Sequence, residues 1–390
     1  MKKLNTVISS RINRSLVLTE IKRNPNISRV QLADKTSLDR SAITQILNYL
    51  IEEGLVEEVE KGKPGSKGGR CPIFLQVRYD SHTVIAVEVG LDFMEGVIAD
   101  LRGHELHRKR QGLQRGEPLL EALTRLLDQF ARDLPDAFAK AVVIGICAPG
   151  VVDSEAGILR ANMYHKWREV MVVEALSELY RKEVFLENDA NVGAMGELFR
   201  LGPSGVQSIL YLFLRDSEGE APLGVGGALV LEGRVWRGSH HFAGESSVTI
   251  NSSFQRIISE HGLKGKRGKS DHRKNLQSLL EFARGGDSAA IEARDEMADR
   301  LGLLLSELAL FVDPNAVMVS ISPWDATRDF WEQIRRSYES HVAPNDRHIR
   351  FLEPLERDKA PLEGLVALGL DRVFVTDSST ASILFSGSMT

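Results

Sequence analysis

Ser28-Arg-Val-Gln-Leu-Ala-Asp-Lys-Thr-Ser-Leu-Asp-Arg-Ser-Ala-Ile-Thr-Gln-Ile-Leu-Asn-Tyr-Leu-Ile-Glu-Glu-Gly-Leu55 reads as two short helices joined by a tight turn. Ser28 followed by Gln31 has the capping-box form, which satisfies orphan N–H groups at a helix start. The first helix is predicted to run through Ala33 to Lys35. The connection is Thr36 to Asp39, with Asp39 or Ser37 able to cap the second helix. That second helix carries Ile43, Ile46, Leu47, Leu50 and Ile51 on one face. Gly54 then suits the left-handed residue beyond a helix end. An amphipathic segment from about Asn13 to Arg23 supplies the third helix of a small bundle.

Working outward, the polar face of the second helix opens with Arg40, Ser41, Thr44 and Gln45. Short or planar hydrogen-bonding groups near a helix N-terminus are what a recognition helix presents to base edges in the major groove. Two strand-like runs come next, Leu55 to Val59 and Ile73 to Val77, around a glycine-rich basic stretch at 61–70. This predicts a β-hairpin wing whose Lys61, Lys63, Lys67 and Arg70 reach phosphate or a minor groove. The competing reading is a three-helix interaction module with a flexible basic linker. Charge favours the first. Residues 1–75 hold 13 Lys+Arg against 8 Asp+Glu, a net +5, whereas the remainder of the −5 chain nets −10. A basic head on an acidic body fits phosphate binding. The excess is modest, so affinity should need a homodimer or homotetramer and fall steeply with salt.

The 390 residues are enough for two or three domains with a sizeable core, and 43% hydrophobic with 26% charged residues is ordinary for a globular chain. No run approaches the roughly 20 apolar residues of a membrane span. The first 25 residues hold no signal-peptide core. Of the two cysteines, Cys71 and Cys147, the second sits in an apolar run. Nothing suggests a disulfide scaffold, and the expected setting is a reducing cytoplasm. No tandem repeat is visible.

Beyond the wing, strands and helices alternate. Apolar strands are expected at Thr83 to Val89, Met94 to Ala99, near Leu106, at Ala141 to Cys147 and at Val184 to Leu186. Helices are expected at Leu119 to Leu134, Val170 to Tyr180 and from Asn191 to about Leu201. A second cycle then has strands at Ser208 to Leu214, Gly227 to Leu231, Val235 to Trp236, Ala316 to Ile321 and His348 to Leu352. Its helices are Leu276 to Arg284, Ser288 to Phe311, Phe330 to His341 and Ala360 to Leu370. Two strand-rich halves suit a two-lobed α/β fold with a cleft between them.

Three segments carry a specific resemblance: 144–153, ending Ala148-Pro149-Gly150-Val151-Val152-Asp153; 187–197, opening Glu187-Asn188-Asp189-Ala190-Asn191; and 223–238, continued by Ala243-Gly244-Glu245. Together they make the chain resemble the ROK family of repressors and sugar kinases. The resemblance covers Ser10 to about Val375. It implies a winged helix-turn-helix over 1–76 and an actin-like, hexokinase-type domain over 77–376. Lobe one would span about 77–200 and lobe two about 201–360, with the last helix returning to lobe one and 377–390 a frayed tail. In family kinases Asp189 is the position of the base that deprotonates a sugar hydroxyl. Gly150, Asn162, Asn188, Asp189 and Glu245 are thus the expected sugar-binding set. For Asn188 and Asp189 the alternative is capping of the next helix, and for Asn162 a turn.

The departures matter as much. The family's first phosphate turn reads Asp-x-Gly-Gly-Thr; here it is Glu88-Val89-Gly90-Leu91-Asp92, with Leu91 in place of a glycine and Asp92 in place of the threonine, and a carboxylate at that last position repels a triphosphate. In the second phosphate loop, 216–222 is acidic and only Gly224, Gly226 and Gly227 remain. A family histidine is replaced by Val248, and the family's zinc-binding cysteines are absent from 246–261. Where they would lie is the basic stretch 264–274, read either as a solvated loop or as a DNA or partner contact. The expectation is therefore a non-catalytic regulator without metal or cofactor. It would bind double-stranded operator DNA and sense a sugar or sugar phosphate. The alternatives are a ligand-independent regulator, or a sugar kinase with an appended DNA-binding domain.

Overall fold

The computed structural model describes residues 2–61, 73–202, 205–215, 223–245, 247–261, 276–342, 348–355 and 359–374. The chain opens with helix α1 (Lys2–Arg23), strand β1 (Ile27–Ser28), helices α2 (Arg29–Thr36) and α3 (Arg40–Glu52), and strands β2 (Val56–Lys61) and β3 (Ile73–Val77). Ser28 Oγ accepts from Gln31 N at 3.4 Å while Ser28 N donates to Gln31 Oε1 at 2.9 Å, the reciprocal box read from the sequence. Of the two candidate caps for α3, Asp39 holds the post, accepting from Ser41 N at 2.9 Å and Ala42 N at 2.8 Å. Those backbone N–H bonds hold its carboxyl below the usual range. Ser37 instead ends α2 at φ 56°. Ile43, Ile46, Leu47 and Leu50 of α3 bury against Val17, Leu18, Ile21 and Leu32. Strand β1, not expected from the sequence, pairs with β3 and makes the order β1-β3-β2. Helix α1 also starts well before Asn13.

The body contains two sheets of one design. In lobe one, β4 (Thr83–Val89), β5 (Phe93–Asp100) and β6 (Glu105–Gly112) form an antiparallel meander. On its other side β4 pairs in parallel with β7 (Ala141–Ala148), and β7 with β11 (Glu183–Asn188). In lobe two the antiparallel strands β12 (Ile209–Arg215), β13 (Gly224–Leu231) and β14 (Arg234–Val235) are joined in parallel, through β12, by β15 (Ala316–Ser322) and β16 (Arg350–Leu352). The sequence shows no repeat because only the alternation of buried strands is shared. Helices α4 (Leu119–Asp133), α5 (Pro135–Ala139) and α6 (Val172–Tyr180) belong to lobe one. Helices α8 (Ser247–Glu260), α9 (Leu276–Arg284), α10 (Ser288–Val312) and α11 (Trp324–His341) belong to lobe two.

Two stretches differ from expectation. Between β7 and α6 a small sheet forms from β8 (Val151–Asp153), β9 (Ile158–Asn162) and β10 (Trp167–Met171). Val170 and Met171, read as helical, pair with Leu159 and Ile158 instead, because buried Trp167 anchors the start of their strand. Helix α8 is also absent from the sequence expectation, although Ile250, Phe254, Ile257 and Ile258 form a helical stripe that buries in lobe two.

Helix α7 (Asp189–Leu201) leaves the cleft and crosses α12 (Ala360–Val373), which returns to lobe one and lies on β4 and β7. The crossing has no room for side chains. A Cβ on Gly364 would sit 2.3 Å from Val192 O, and one on Gly196 would sit 2.9 Å from Ala360 O. Just beyond α12, the Phe374 ring lies under Lys22 Nζ of α1, 4.0 Å from centroid. Backbone bonds Arg78 N to Leu55 O (2.9 Å) and Leu101 N to Tyr79 O (3.0 Å) tie the winged head to lobe one, and one hydrophobic cluster runs through both. Gly364→Val is expected to lower stability by at least about 2 kcal/mol, read as a shift of the denaturant midpoint at unchanged slope. Gly112→Ala, where a Cβ meets nothing within 4 Å and the backbone is not left-handed, controls for loss of a glycine.

Candidate functional site

Strands β4, β7, β11 and β12 all end at the cleft between the lobes, the usual place for ligands in α/β folds. A cavity of about 690 Å³ opens there. Gly150, Asn162, Asn188, Asp189 and Glu245 all line it, so the fold brings the sequence-predicted set together. Gly150 stands at φ 105°, and a Cβ would lie 2.3 Å from Ala161 O, so only glycine fits the turn after β7.

Of the two readings of Asn188, the capping one is seen directly, on a residue that also lines the cavity. Its Oδ1 caps α7, accepting from Ala190 N (2.9 Å) and Asn191 N (3.1 Å), and its Nδ2 donates to Gly150 O at 3.1 Å. Asn162 lies at the end of β9, donating to Pro149 O at 2.9 Å and accepting from His165 N at 2.8 Å. These two asparagines therefore build the cavity wall more than they offer spare groups. Asp189 differs. Its carboxylate accepts from Ala190 N at 2.9 Å, and its support comes from backbone N–H groups at its own helix start. Burial pushes its pKa up to about 6, against the opposing pull of Arg215. Glu245, exposed at the cleft mouth, is raised too, by the surrounding protein and by the charge of Asp189.

The cleft also holds an ion pair between the lobes. Arg215 at the end of β12 reaches across to Glu88 at the end of β4. Burial alone would lower the guanidinium, but Glu88 and Asp189 outweigh it and hold the proton more firmly. Leu91 faces Gly224 from the opposite lobe. The turn is pinned by His165, whose Nε2 donates to Leu91 O at 2.8 Å while Nδ1 accepts from Gly116 N at 3.3 Å. Burial lowers that imidazole, which fits the neutral tautomer these bonds require. A second bridge closes the other side. Glu187 Oε1 accepts from Ser154 Oγ (2.9 Å), Asn188 N (2.9 Å) and Asn191 Nδ2 (3.0 Å), and its Oε2 accepts from Arg237 Nε of lobe two at 3.1 Å. Sequence reasoning singles out neither Arg215 nor Glu187 for a role. Their signal is an ionisable residue at the end of an otherwise apolar strand.

On the winged head, Arg40, Ser41, Thr44 and Gln45 are exposed, as is Asn48 one turn on, which the sequence pattern did not single out. Two of the five are partly committed. Ser41 Oγ donates to Asp39 at 2.7 Å, and Thr44 Oγ1 donates to Arg40 O at 2.8 Å. Lys61 ends β2, with its side chain outside the described residues, as are Lys63, Lys67, Arg70, the acidic stretch 216–222, the basic stretch 264–274 and the tail 377–390. Val248 falls within α8, its side chain likewise undescribed. Among the described residues, no group of three His, Cys, Asp or Glu could hold a metal, and no helix is long and apolar enough to cross a membrane.

The family model described as ROK family matches residues 84–372, and one described as MarR family matches 11–65. The chain belongs to the ROK family. It is similar to a xylose repressor of Bacillus spizizenii, 25% identical over 93% of this chain and 95% of that protein. It is also similar to the DNA-binding transcriptional dual regulator NagC of Escherichia coli, 23% identical over 81% and 82%. The fold is shared with a ROK family transcriptional regulator that is a homologue of the E. coli MLC protein, at TM-score 0.69 and 17% identity over 93% of this chain and 98% of that one. It is shared too with a ROK glucokinase from Streptomyces griseus in complex with glucose and AMPPNP, at TM-score 0.56 and 22% identity over 73% and 98%.

Two outcomes are expected from the cleft charges. Arg215→Met strands two buried carboxylates and should cost about 3–5 kcal/mol, most of it recovered in the Glu88→Gln/Arg215→Met pair; denaturant unfolding of both variants checks this. For Asp189 the folded-state pKa is raised above the ordinary 3.8. Its contribution is thus fully favourable below about pH 3.8 and is lost as pH rises through about 6. Asp189→Asn should remove that loss. Its stability relative to the unsubstituted protein should climb by up to about 3 kcal/mol between pH 4 and 7, since each tenfold weakening of proton binding on unfolding is worth about 1.4 kcal/mol.

Proposed function

We propose that this ROK protein is a sequence-specific DNA-binding repressor whose operator affinity is lowered by a sugar bound in a non-catalytic interlobe cleft. One observation carries the reading. The family's aspartate at position 189 is kept in a roomy cavity while Arg215 and Glu88 fill the phosphate end, on a chain headed by an exposed, capped recognition helix. The names of the xylose repressor and NagC relatives support it.

Arg40, Gln45 and Asn48 would read bases, with Ser41 and Thr44 shaping the helix end, while Lys61, Lys63, Lys67 and Arg70 of the wing meet phosphate. The head would end near residue 76, before β4. A homodimer or homotetramer in the cytoplasm would set two recognition helices on half-sites about 34–36 Å apart or a multiple of that. Leu91 and Asp92 argue against phosphoryl transfer, because the first fills the place of a glycine and the second sets a carboxylate where a triphosphate would lie.

Selection of bound duplexes from random DNA, followed by anisotropy titration on the winner, tests this. Arg40→Ala and Gln45→Ala should each cost about 1–3 kcal/mol of binding and relax preference at one base position. Affinity should fall steeply with salt. Asp189→Ala should still bind the operator and no longer release it with sugar. ATP turnover on any sugar, or indifference to every duplex at low salt, would refute the reading.

A further inference from the structure

The cavity's charge and lining narrow the effector further, a step that rests on reading the cleft as a sugar site. Asp92, Asp189 and Glu245 line the cavity, and Arg215 is the one basic side chain among its described lining residues. That guanidinium is buried, paired with Glu88 and drawn to Asp189. A phosphate ester carries about −1.5 to −2 charges near neutrality. It would enter a site that is already negative, with its one guanidinium committed.

Size and polarity point the same way. A hexopyranose takes up roughly six water volumes of about 30 Å³ each, less than half of the cavity. The surplus wall is apolar. Met163 of lobe one is 75% exposed and Phe242 of lobe two is 61% exposed, and both line this one cavity. A lone exposed apolar side chain needs no explanation. Two on opposite walls of one ligand cavity are uncovered surface awaiting a partner. Each is tethered beside a polar wall residue. Met163 directly follows Asn162, which is bonded to Pro149 O, and Phe242 O accepts from Glu245 N at 3.2 Å.

We propose that the effector is an uncharged glycoside whose sugar ring sits on Asp189 and Glu245 against the Asn188 wall and whose apolar aglycone lies between Met163 and Phe242. Neutrality follows from the committed Arg215, and the aglycone from the unfilled apolar half. Bringing the lobes together over such a ligand covers both exposed side chains.

Calorimetry on the full-length protein tests this with the methyl and p-nitrophenyl glycosides of glucose, xylose and N-acetylglucosamine, together with glucose 6-phosphate and N-acetylglucosamine 6-phosphate. For the sugar that binds, the p-nitrophenyl glycoside should bind at least tenfold tighter than the methyl glycoside, and the 6-phosphates at least tenfold more weakly. The Met163→Ser/Phe242→Ser variant alters exposed positions and should fold. Its p-nitrophenyl to methyl affinity ratio should drop to near one. A ratio near one in the unsubstituted protein, a ratio that survives in the variant, or tightest binding by a 6-phosphate overturns the proposal while leaving the sugar site standing. Binding by no sugar in any form, with Asp189→Ala silent, overturns the sugar site and this proposal together.

Discussion

A buried guanidinium clasped by a carboxylate from the facing lobe constrains everything else in the body of this protein. Arg215 and Glu88 lie at the ends of equivalent central strands, β12 and β4, in two sheets of the same topology. The strand ends are thereby tied to each other across the cleft. The pair is worth keeping as a pair, because breaking a buried ion pair costs more than never having had one. It also sets the electrostatics of the remaining cavity. Arg215 partly offsets the burial of Asp189, which is why that carboxyl moves only to about 6.

What happens in the cavity is mechanically continuous with the winged head. Asn188 caps α7 while its amide holds the Gly150 turn, so the cavity wall and the helix start are one unit. Where α7 meets α12, Gly196 and Gly364 bring backbone against backbone, leaving no soft side chain to absorb a shift. The chain emerging from α12 places Phe374 against Lys22 of α1. Burial lowers Lys22, partly offset by Asp371 on α12, while Asp371 itself is raised by burial. A ligand biases the head only through differential affinity for two arrangements of such elements. The contiguous packing from α7 through α12 to α1 joins the cavity wall to the head.

Much of this was legible in the sequence, for identifiable reasons. Capping chemistry is local, so Ser28, Gln31 and Asp39 announced both motif helices before any packing was known. The apolar strands and the segments around Gly150, Asn188 and Glu245 placed the cavity, because those backbone positions tolerate few alternatives. What stayed hidden is what sequence distance conceals. Glu88 and Arg215 are 127 positions apart and become partners only when the lobes face each other. The pairing of β1 with β3 joins Ile27 to Leu75 and has no local signature. The small sheet of β8, β9 and β10 overrides a helical pattern at Val170 and Met171 through non-local pairing, as tertiary context often does.

The polar groups of the cleft are used unevenly. Asn162, Asn188 and Glu187 commit their hydrogen bonds to the protein, and they fix walls, turns and the second interlobe bridge through Arg237. Asp189 is partly buried, raised, and supported by backbone N–H groups at the start of its own helix, and a carboxylate withdrawn from water in this way costs the unliganded fold stability. On the proposed reading, a sugar hydroxyl donating to that carboxylate would offset the penalty, and the binding energy so gained would bias the choice between ligand-free and ligand-bound arrangements.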